Sequence, residues 1–218
     1  MSAHKIFVFD AYGTLFDVHS AVARHRAALG PNADRLSDIW RTKQLEYTWV
    51  LSLMETYRDF AALTAEALDF AAARCGGITG ETRAALLAAY QTLDAYPDVK
   101  SCLQALKAAG KKTAILSNGT PAMLAAAVQH AGLDGLIDAS LSVDPIRTFK
   151  TAPEAYHLAS HHFRVQPGEI SFQSSNRWDV AGAVRFGFRA LWINRTAQPH
   201  EYAEFAPERV LPGLEGVG

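Results

Sequence analysis

The sequence predicts an α/β fold: a Rossmann-like parallel sheet core with a helical cap domain inserted after the first strand. Three observations carry that expectation. A short apolar run, Lys5-Ile-Phe-Val-Phe-Asp10, ends in a carboxylate close to the N-terminus. The stretch from about Val18 to Leu93 is rich in Ala, Leu and Arg at helical spacing and poor in strand signals. From Ala95 onward, helix-like and strand-like runs alternate, the pattern of a parallel sheet. The core is therefore expected over residues 1–17 and 95–218, and the cap over residues 18–94.

The elements follow in order. Lys5 to Asp10 is β-branched, aromatic and apolar on both alternate sets, which reads as a parallel strand buried on both faces. Ala11-Tyr-Gly-Thr-Leu-Phe-Asp17 is a loop with one glycine. Helices are expected at Ser20 to Leu29, Asp34 to Tyr57, Asp59 to Arg74 and Gly80 to Leu93. Gly30-Pro31 and Gly76-Gly77 supply breaks, and Thr79 can cap the fourth helix with Glu81 in its first turn. Asp98 to Ala109 reads as a helix closed by Gly110. Thr113 to Ser117 reads as a strand. Thr120 and Pro121 start a helix that ends near Gly132. Ala139 to Val143 is a third strand, Pro153 to Phe163 a helix, Ile170 to Ser174 a fourth strand. Asp179 to Phe186 is a helix and Arg189 to Ile193 a fifth strand. Right-handed crossovers bring the strand ends to one edge, where such sheets bind ligands. An insertion after the first strand should cover that edge.

Bulk properties narrow the function. The 218 residues suffice for one domain with an elaborated insertion. Apolar residues make up 49% and charged residues 20%, close to the globular average. With 21 basic and 22 acidic residues the net charge is −1, so nucleic acid and anionic membrane are poor partners. Cys75 and Cys102 lie far apart without metal-ligand spacing and read as buried small side chains. No signal core and no membrane-length apolar stretch is present, which reads as cytoplasmic. His161 and His162 face adjacent directions on a helix and cannot share a metal, and all eight histidines read as non-catalytic.

Four polar groups fall at expected strand ends: Asp10, Ser117-Asn118, Lys150, and Ser174-Ser175-Asn176 with Asp179. Singly, each has a bland reading. A strand-end Asp is often a helix cap, a Ser-Asn pair a turn, a lone lysine a solvated charge. In this order and topology they resemble the four motifs of the haloacid dehalogenase-like superfamily, over essentially the whole chain. Within it, Phe9-Asp-Ala-Tyr-Gly-Thr-Leu15, Trp40-Arg-Thr-Lys-Gln-Leu-Glu-Tyr-Thr-Trp49 and Ser174-Ser-Asn-Arg-Trp-Asp179 look most like the (S)-2-haloacid dehalogenases, also called L-2-haloacid dehalogenases.

Two departures separate this chain from the superfamily's phosphatases. Their second Asp, which protonates the leaving group, is Tyr12 here. Their added acidic residue in the fourth motif is Ser175 here, which weakens a Mg²⁺ site that Lys150 already opposes with its own charge. No metal and no other cofactor is therefore expected, and a departing halide needs no proton.

The resemblance implies the following chemistry. Asp10, ionised at neutral pH and kept so by Lys150, attacks C2 of a short L-2-haloacid and forms an aspartyl ester. Water then hydrolyses the ester, giving the D-2-hydroxyacid with one inversion. Ser117 and the N–H groups after Asp10, beginning with Ala11, hold the substrate carboxylate. Arg41 and Asn118 meet the halide. Tyr12, Leu45, Phe60 and Trp178 form an apolar wall. Asp179 orients or deprotonates the water, supported by Asn176 and Ser174. Thr14 and Tyr156 support the nucleophile and Lys150. The family's habit of dimerising implies a homodimer, with the apolar-rich insertion as a source of interface.

Three rivals compete. A Mg²⁺-dependent phosphatase of the same superfamily predicts metal dependence, against Tyr12 and Ser175. A silent binding protein predicts dispensable site residues, against the retained Asp10, Lys150, Asn176 and Asp179. A nucleotide-binding module lacks both a Gly-x-Gly-x-x-Gly and a Walker-type loop. Which halogen and which chain length are accepted has no signature in the spacing.

Overall fold

The computed structural model describes residues 5–218; the start of the expected core, residues 1–4, lies outside the described residues. Six parallel strands form one sheet in the order β3-β2-β1-β4-β5-β6. They are β1 (Ile6–Phe9), β2 (Lys112–Ser117), β3 (Ala139–Ser142), β4 (Ile170–Ser174), β5 (Arg189–Ile193) and β6 (Arg209–Leu211). The central strand explains its own sequence. Phe7 and Phe9 join the core cluster on one face, while Ile6 and Val8 join the cluster on the other. A strand covered on both sides must be apolar at every position, so it shows a run and not an alternation.

Helices cover both faces. On one side lie α6 (Val99–Ala108) and α7 (Pro121–His130), through Val99, Leu103, Leu106, Met123, Leu124 and Ala127. On the other lie α8 (Pro153–Phe163) and α9 (Arg177–Phe186), through Tyr156, Ala159, Val180 and Ala183. Between β1 and α6 the chain is helical: α1 (Ser20–Arg24), α2 (Arg26–Leu29), α3 (Ala33–Leu53), α4 (Phe60–Arg74) and α5 (Gly80–Gln91). Asp59, Thr79 and Thr120 each cap their helix by accepting a backbone N–H, from Ala62, Thr82 and Met123. Among the described residues no helix is long and apolar enough to cross a membrane.

Several expectations need correction. The first expected helix is two, because the chain breaks at His25. The second stops at Leu53, with Glu55 in the left-handed region at φ 53°. Helix α9 starts at Arg177, two residues earlier than expected, so Trp178 and Asp179 lie in its first turn. A sixth strand, β6, pairs with β5 at the sheet edge. Its three residues, between Pro207 and Pro212, are too few to show a period. Cys102 is buried but Cys75 is only half-buried.

Candidate active site

The sheet order makes β1 a switch point, with β2 on one side and β4 on the other. Crossovers leave in opposite directions there, and the gap at the strand ends is where open α/β sheets bind ligands. Asp10 stands in it, directly after β1 and 5% exposed. Three donors fix its carboxylate. Lys150 Nζ reaches Oδ1 at 3.0 Å; Asn176 Nδ2 and Thr14 Oγ1 reach Oδ2 at 2.8 and 3.0 Å.

Each donor is held in turn. Thr14 sits in a tight turn in which the N–H groups of Leu15 and Phe16 donate to the carbonyl of Ala11. Gly13 takes φ +91° inside that turn, a conformation that favours glycine. Because Thr14 Oγ1 accepts from the Ser175 N–H at 2.8 Å, its proton is directed at Asp10. Asn176 N–H donates to Ser174 Oγ at 3.1 Å, and Asn176 Nδ2 also reaches the Tyr12 carbonyl at 3.0 Å. Asn118 Oδ1 accepts the Lys150 N–H at 3.0 Å, which ties the end of β2 to the lysine.

Lys150 is not solvated: its side chain is sealed, and Nζ bridges Asp10 to Asp179 Oδ2, the latter at 2.8 Å. Tyr156 donates to Asp179 Oδ1 at 2.8 Å. Gly182, one turn beyond Asp179, makes this approach possible, since a Cβ there would lie 2.3 Å from the Tyr156 hydroxyl oxygen. Two carboxylates share one ammonium in a dry site. Burial opposes the Lys150 charge, but Asp10 and Asp179 outweigh it and raise its pKa. Burial pushes Asp179 up to about 6, against the pull of Lys150. Burial, reinforced by Asp179, raises Tyr156 well above the phenol range, so it remains a donor.

From the insertion, α3 delivers Arg41. One guanidinium nitrogen donates to the Tyr12 carbonyl at 3.1 Å and Asn176 Oδ1 at 3.3 Å; the other donates to Gln44 Oε1 at 2.8 Å. The Tyr12 ring lies 5.6 Å from Phe60 and stacks on Tyr90 at 5.7 Å. It also needs Gly119, where a Cβ would stand 2.8 Å from the ring. Leu45 is half-buried, one turn along α3 from Arg41.

The structure thus joins Asp10, Thr14, Lys150, Tyr156, Asn176 and Asp179 in one hydrogen-bonded group, with Arg41, Tyr12 and Asn118 attached. Ser117 and Trp178 stand apart from it. Ser117 Oγ accepts the Gly119 N–H at 3.1 Å inside the β2 turn. Trp178 meets Trp49 edge-on at 5.5 Å and, with Tyr202 and Phe205, lines a separate cavity of about 580 Å³. Ala11 is fully buried and Ser174 serves the Asn176 backbone. Sequence reading assigned no role to Gln44, Thr64, Tyr90, Gly119 or Gly182. The one local signal was Arg41 and Gln44 spaced three apart on a helix.

A divalent cation does not fit these residues. The space between Asp10 and Asp179 is bridged by the Lys150 ammonium, and the flanking positions are Tyr12 and Ser175, not carboxylates. Among the described residues no cluster of three His, Cys, Asp or Glu is placed to hold a metal.

Comparison with known proteins identifies the family and the fold. Residues 4–187 match the model of the haloacid dehalogenase-like hydrolases. The (S)-2-haloacid dehalogenase 1 of Pseudomonas sp. (strain CBS-3) is 48% identical over 210 residues, which is 96% of this chain and 92% of that one. A solved dehalogenase structure superposes with a TM-score of 0.97 at 42% identity, covering 100% of this chain and 96% of that chain. The L-2-haloacid dehalogenase of Xanthobacter autotrophicus, solved with chloropropionic acid covalently bound, gives a TM-score of 0.87 at 38% identity over 97% of this chain and 95% of that chain.

Proposed function

The chain belongs to the haloacid dehalogenase-like hydrolases, and from that premise we propose that it hydrolyses short L-2-haloacids to D-2-hydroxyacids and halide. The observation that carries the reading is the Asp10 carboxylate, aimed by three donors and coupled through Lys150 to Asp179. The relative with chloropropionic acid covalently bound supports an ester route.

An Asp10 oxygen attacks C2 from the face opposite the halogen. The new O–C2 bond forms as the carbon–halogen bond breaks, and its electron pair leaves with the halide, so C2 inverts. Water then adds to the ester carbonyl. Asp179 takes a proton from the water and passes it to the substrate's C2 oxygen as the bond between that oxygen and the Asp10 carboxyl carbon breaks. The hydroxyacid leaves, and Asp10 loses the second water proton to solvent and is a carboxylate again. Lys150, Thr14 and Asn176 orient the nucleophile, while Tyr156 and Ser174 hold Asp179 and Asn176. Ser117 and the Ala11 N–H receive the substrate carboxylate, and Arg41 with Asn118 receives the halide. Tyr12, Leu45 and Phe60 enclose the apolar part of the substrate, and Trp178, in the neighbouring cavity, is not part of that wall. Residues 18–94 act as a cap domain that brings Arg41 to a core of residues 1–17 and 95–218. No step passes through a metal, and the phosphatase reading is not favoured, because Tyr12 offers no acid for an alkoxide leaving group. We also propose that the chain is cytoplasmic and forms a homodimer; the dimer is supported by exposed apolar residues at the end of α3, Trp49, Val50 and Leu53, and by Met54 just after it.

The test is halide release from L-2-chloropropionate with excess EDTA, followed by a single turnover in heavy-oxygen water. Undiminished release, with label entering the Asp10 carboxylate first, is the expected result. Activity lost to chelation, or label appearing directly in the hydroxyacid, overturns the reading.

A further inference from the structure

Arg41 differs from every other functional charge of the site in its partners. All its acceptors are neutral: the Tyr12 carbonyl, Asn176 Oδ1 and Gln44 Oε1. No carboxylate among the described residues is within ion-pairing distance of it, whereas exposed arginines on the same helical insertion pair with acids, Arg83 with Asp69 and Arg58 with Glu66. Gln44 is the side chain that makes this arrangement possible. It is 1% exposed, on the same helix three residues on. Its Oε1 accepts from both Arg41, at 2.8 Å, and the Tyr90 hydroxyl, at 3.1 Å. Its Nε2 donates to Thr64 Oγ1 at 2.6 Å, and Thr64 donates its own proton to the Phe60 carbonyl at 2.7 Å. That chain of donors settles the amide's orientation. Thr64 has spent its proton, so it can only accept, and the amide nitrogen must face it. The oxygen therefore faces Arg41.

We propose that Gln44 is a positioning residue for the reaction: it aims Arg41 into the site while leaving the guanidinium's charge uncompensated for an incoming anion. A glutamate of the same shape would hold Arg41 by one oxygen and cancel that charge, while its other oxygen would require the Thr64 proton to turn from the Phe60 carbonyl. A neutral carbonyl oxygen holds it and leaves the charge available to the halide or the substrate carboxylate. The oriented chain runs Phe60–Thr64–Gln44–Arg41, so α4 supplies both a wall residue and the anchor for the site's cation. This inference rests on the proposed role of Arg41, and it is tested by anion binding as well as turnover.

The experiment measures chloride binding by the chloride NMR line width, and KM and kcat for L-2-chloropropionate, in the full-length protein and in Gln44→Glu, Thr64→Val and Thr64→Ser. Gln44→Glu is expected to weaken chloride binding and raise KM about tenfold or more, with melting temperature kept or raised by the new ion pair. Thr64→Val frees the amide to flip and turn Nε2 toward Arg41, and is expected to lower kcat/KM several-fold. Thr64→Ser keeps the acceptor and restores it. A merely structural Gln44 predicts that losses follow melting temperature. Chloride affinity and KM in Gln44→Glu equal to wild type overturn the proposal. Should that variant not fold, equal kcat/KM in the two Thr64 variants overturns it, and a difference restored by serine sustains it. Wild-type protein that binds chloride but releases no halide from any 2-haloacid defeats the dehalogenase reading and leaves the Gln44 assignment standing.

Discussion

The strand-end cluster and the helical insertion treat charge in opposite ways. In the strand-end cluster each ion has a counter-ion: Asp10 and Asp179 share Lys150, with Lys150 and Asp179 sealed from water and Asp10 nearly so. On the insertion, Arg41 is held by neutral oxygens alone. A buried ion without a partner is costly, so the first arrangement makes a rigid, persistent nucleophile. The second keeps a cation at the mouth of the site ready for a ligand that arrives as an anion. One region prepares an electron pair, and the other prepares a place for charge that develops during the reaction.

The comparison can be broken from either side. Asp10→Asn removes the nucleophile and leaves Lys150 with half its compensation; halide release should fall by at least about 10⁴-fold. A smaller loss in a halide-electrode assay would mean that water, not Asp10, attacks carbon. Arg41→Lys keeps the charge but loses the planar fork that spans Tyr12, Asn176 and Gln44. Turnover should fall by roughly 10²-fold, with circular dichroism unchanged. An active lysine variant would show that charge alone suffices on the insertion.

A pH series sharpens the strand-end side. Asp179 is raised to about 6, above its unfolded value, because burial disfavours its ionised form. Its contribution to stability is therefore fully present below the unfolded pKa and is lost as pH rises through about 6. Turnover should move the other way, rising through the same range as Asp179 becomes a base. A kcat profile flat from pH 5 to 8 would remove Asp179 from that role. The smallest effect is expected at Gly182. Gly182→Ala drives a methyl into Tyr156 and should cost about 1–3 kcal/mol, read in urea denaturation. A neutral result would mean that Tyr156 can retreat from Asp179 without consequence.

The sequence made the two regions unequally legible. Strands buried on both faces show as apolar runs, and Thr79, Thr120 and Pro153 mark helix starts through local chemistry, so most of the core could be read. The three residues of β6 carry no period, and the break at His25 has no glycine or proline to mark it. Within the site, Asp10, Thr14, Lys150, Asn176 and Asp179 could be named because they sit in short motifs that resemble a family. The Gln44–Thr64–Tyr90 chain could not. Its members are 20 and 46 residues apart in hydrogen-bond separation, and a buried glutamine in a helix looks like any solvated one until its partners are placed.

The bonds that fix Asp10 also set a timetable for synthesis. Its partners Lys150 and Asn176 lie 140 and 166 residues along the chain. A chain that ends between Lys150 and β4 contains Asp10 and Lys150 but lacks Asn176 and Asp179, two members of the cluster. Only when β4 docks beside β1 and α9 winds can the second acid arrive. Non-local closure of this kind is slow, so the growing polypeptide cannot acquire its nucleophile piecemeal. Competence comes late and all at once, and a chain cut before Asn176, lacking both that donor and Asp179, should release no halide.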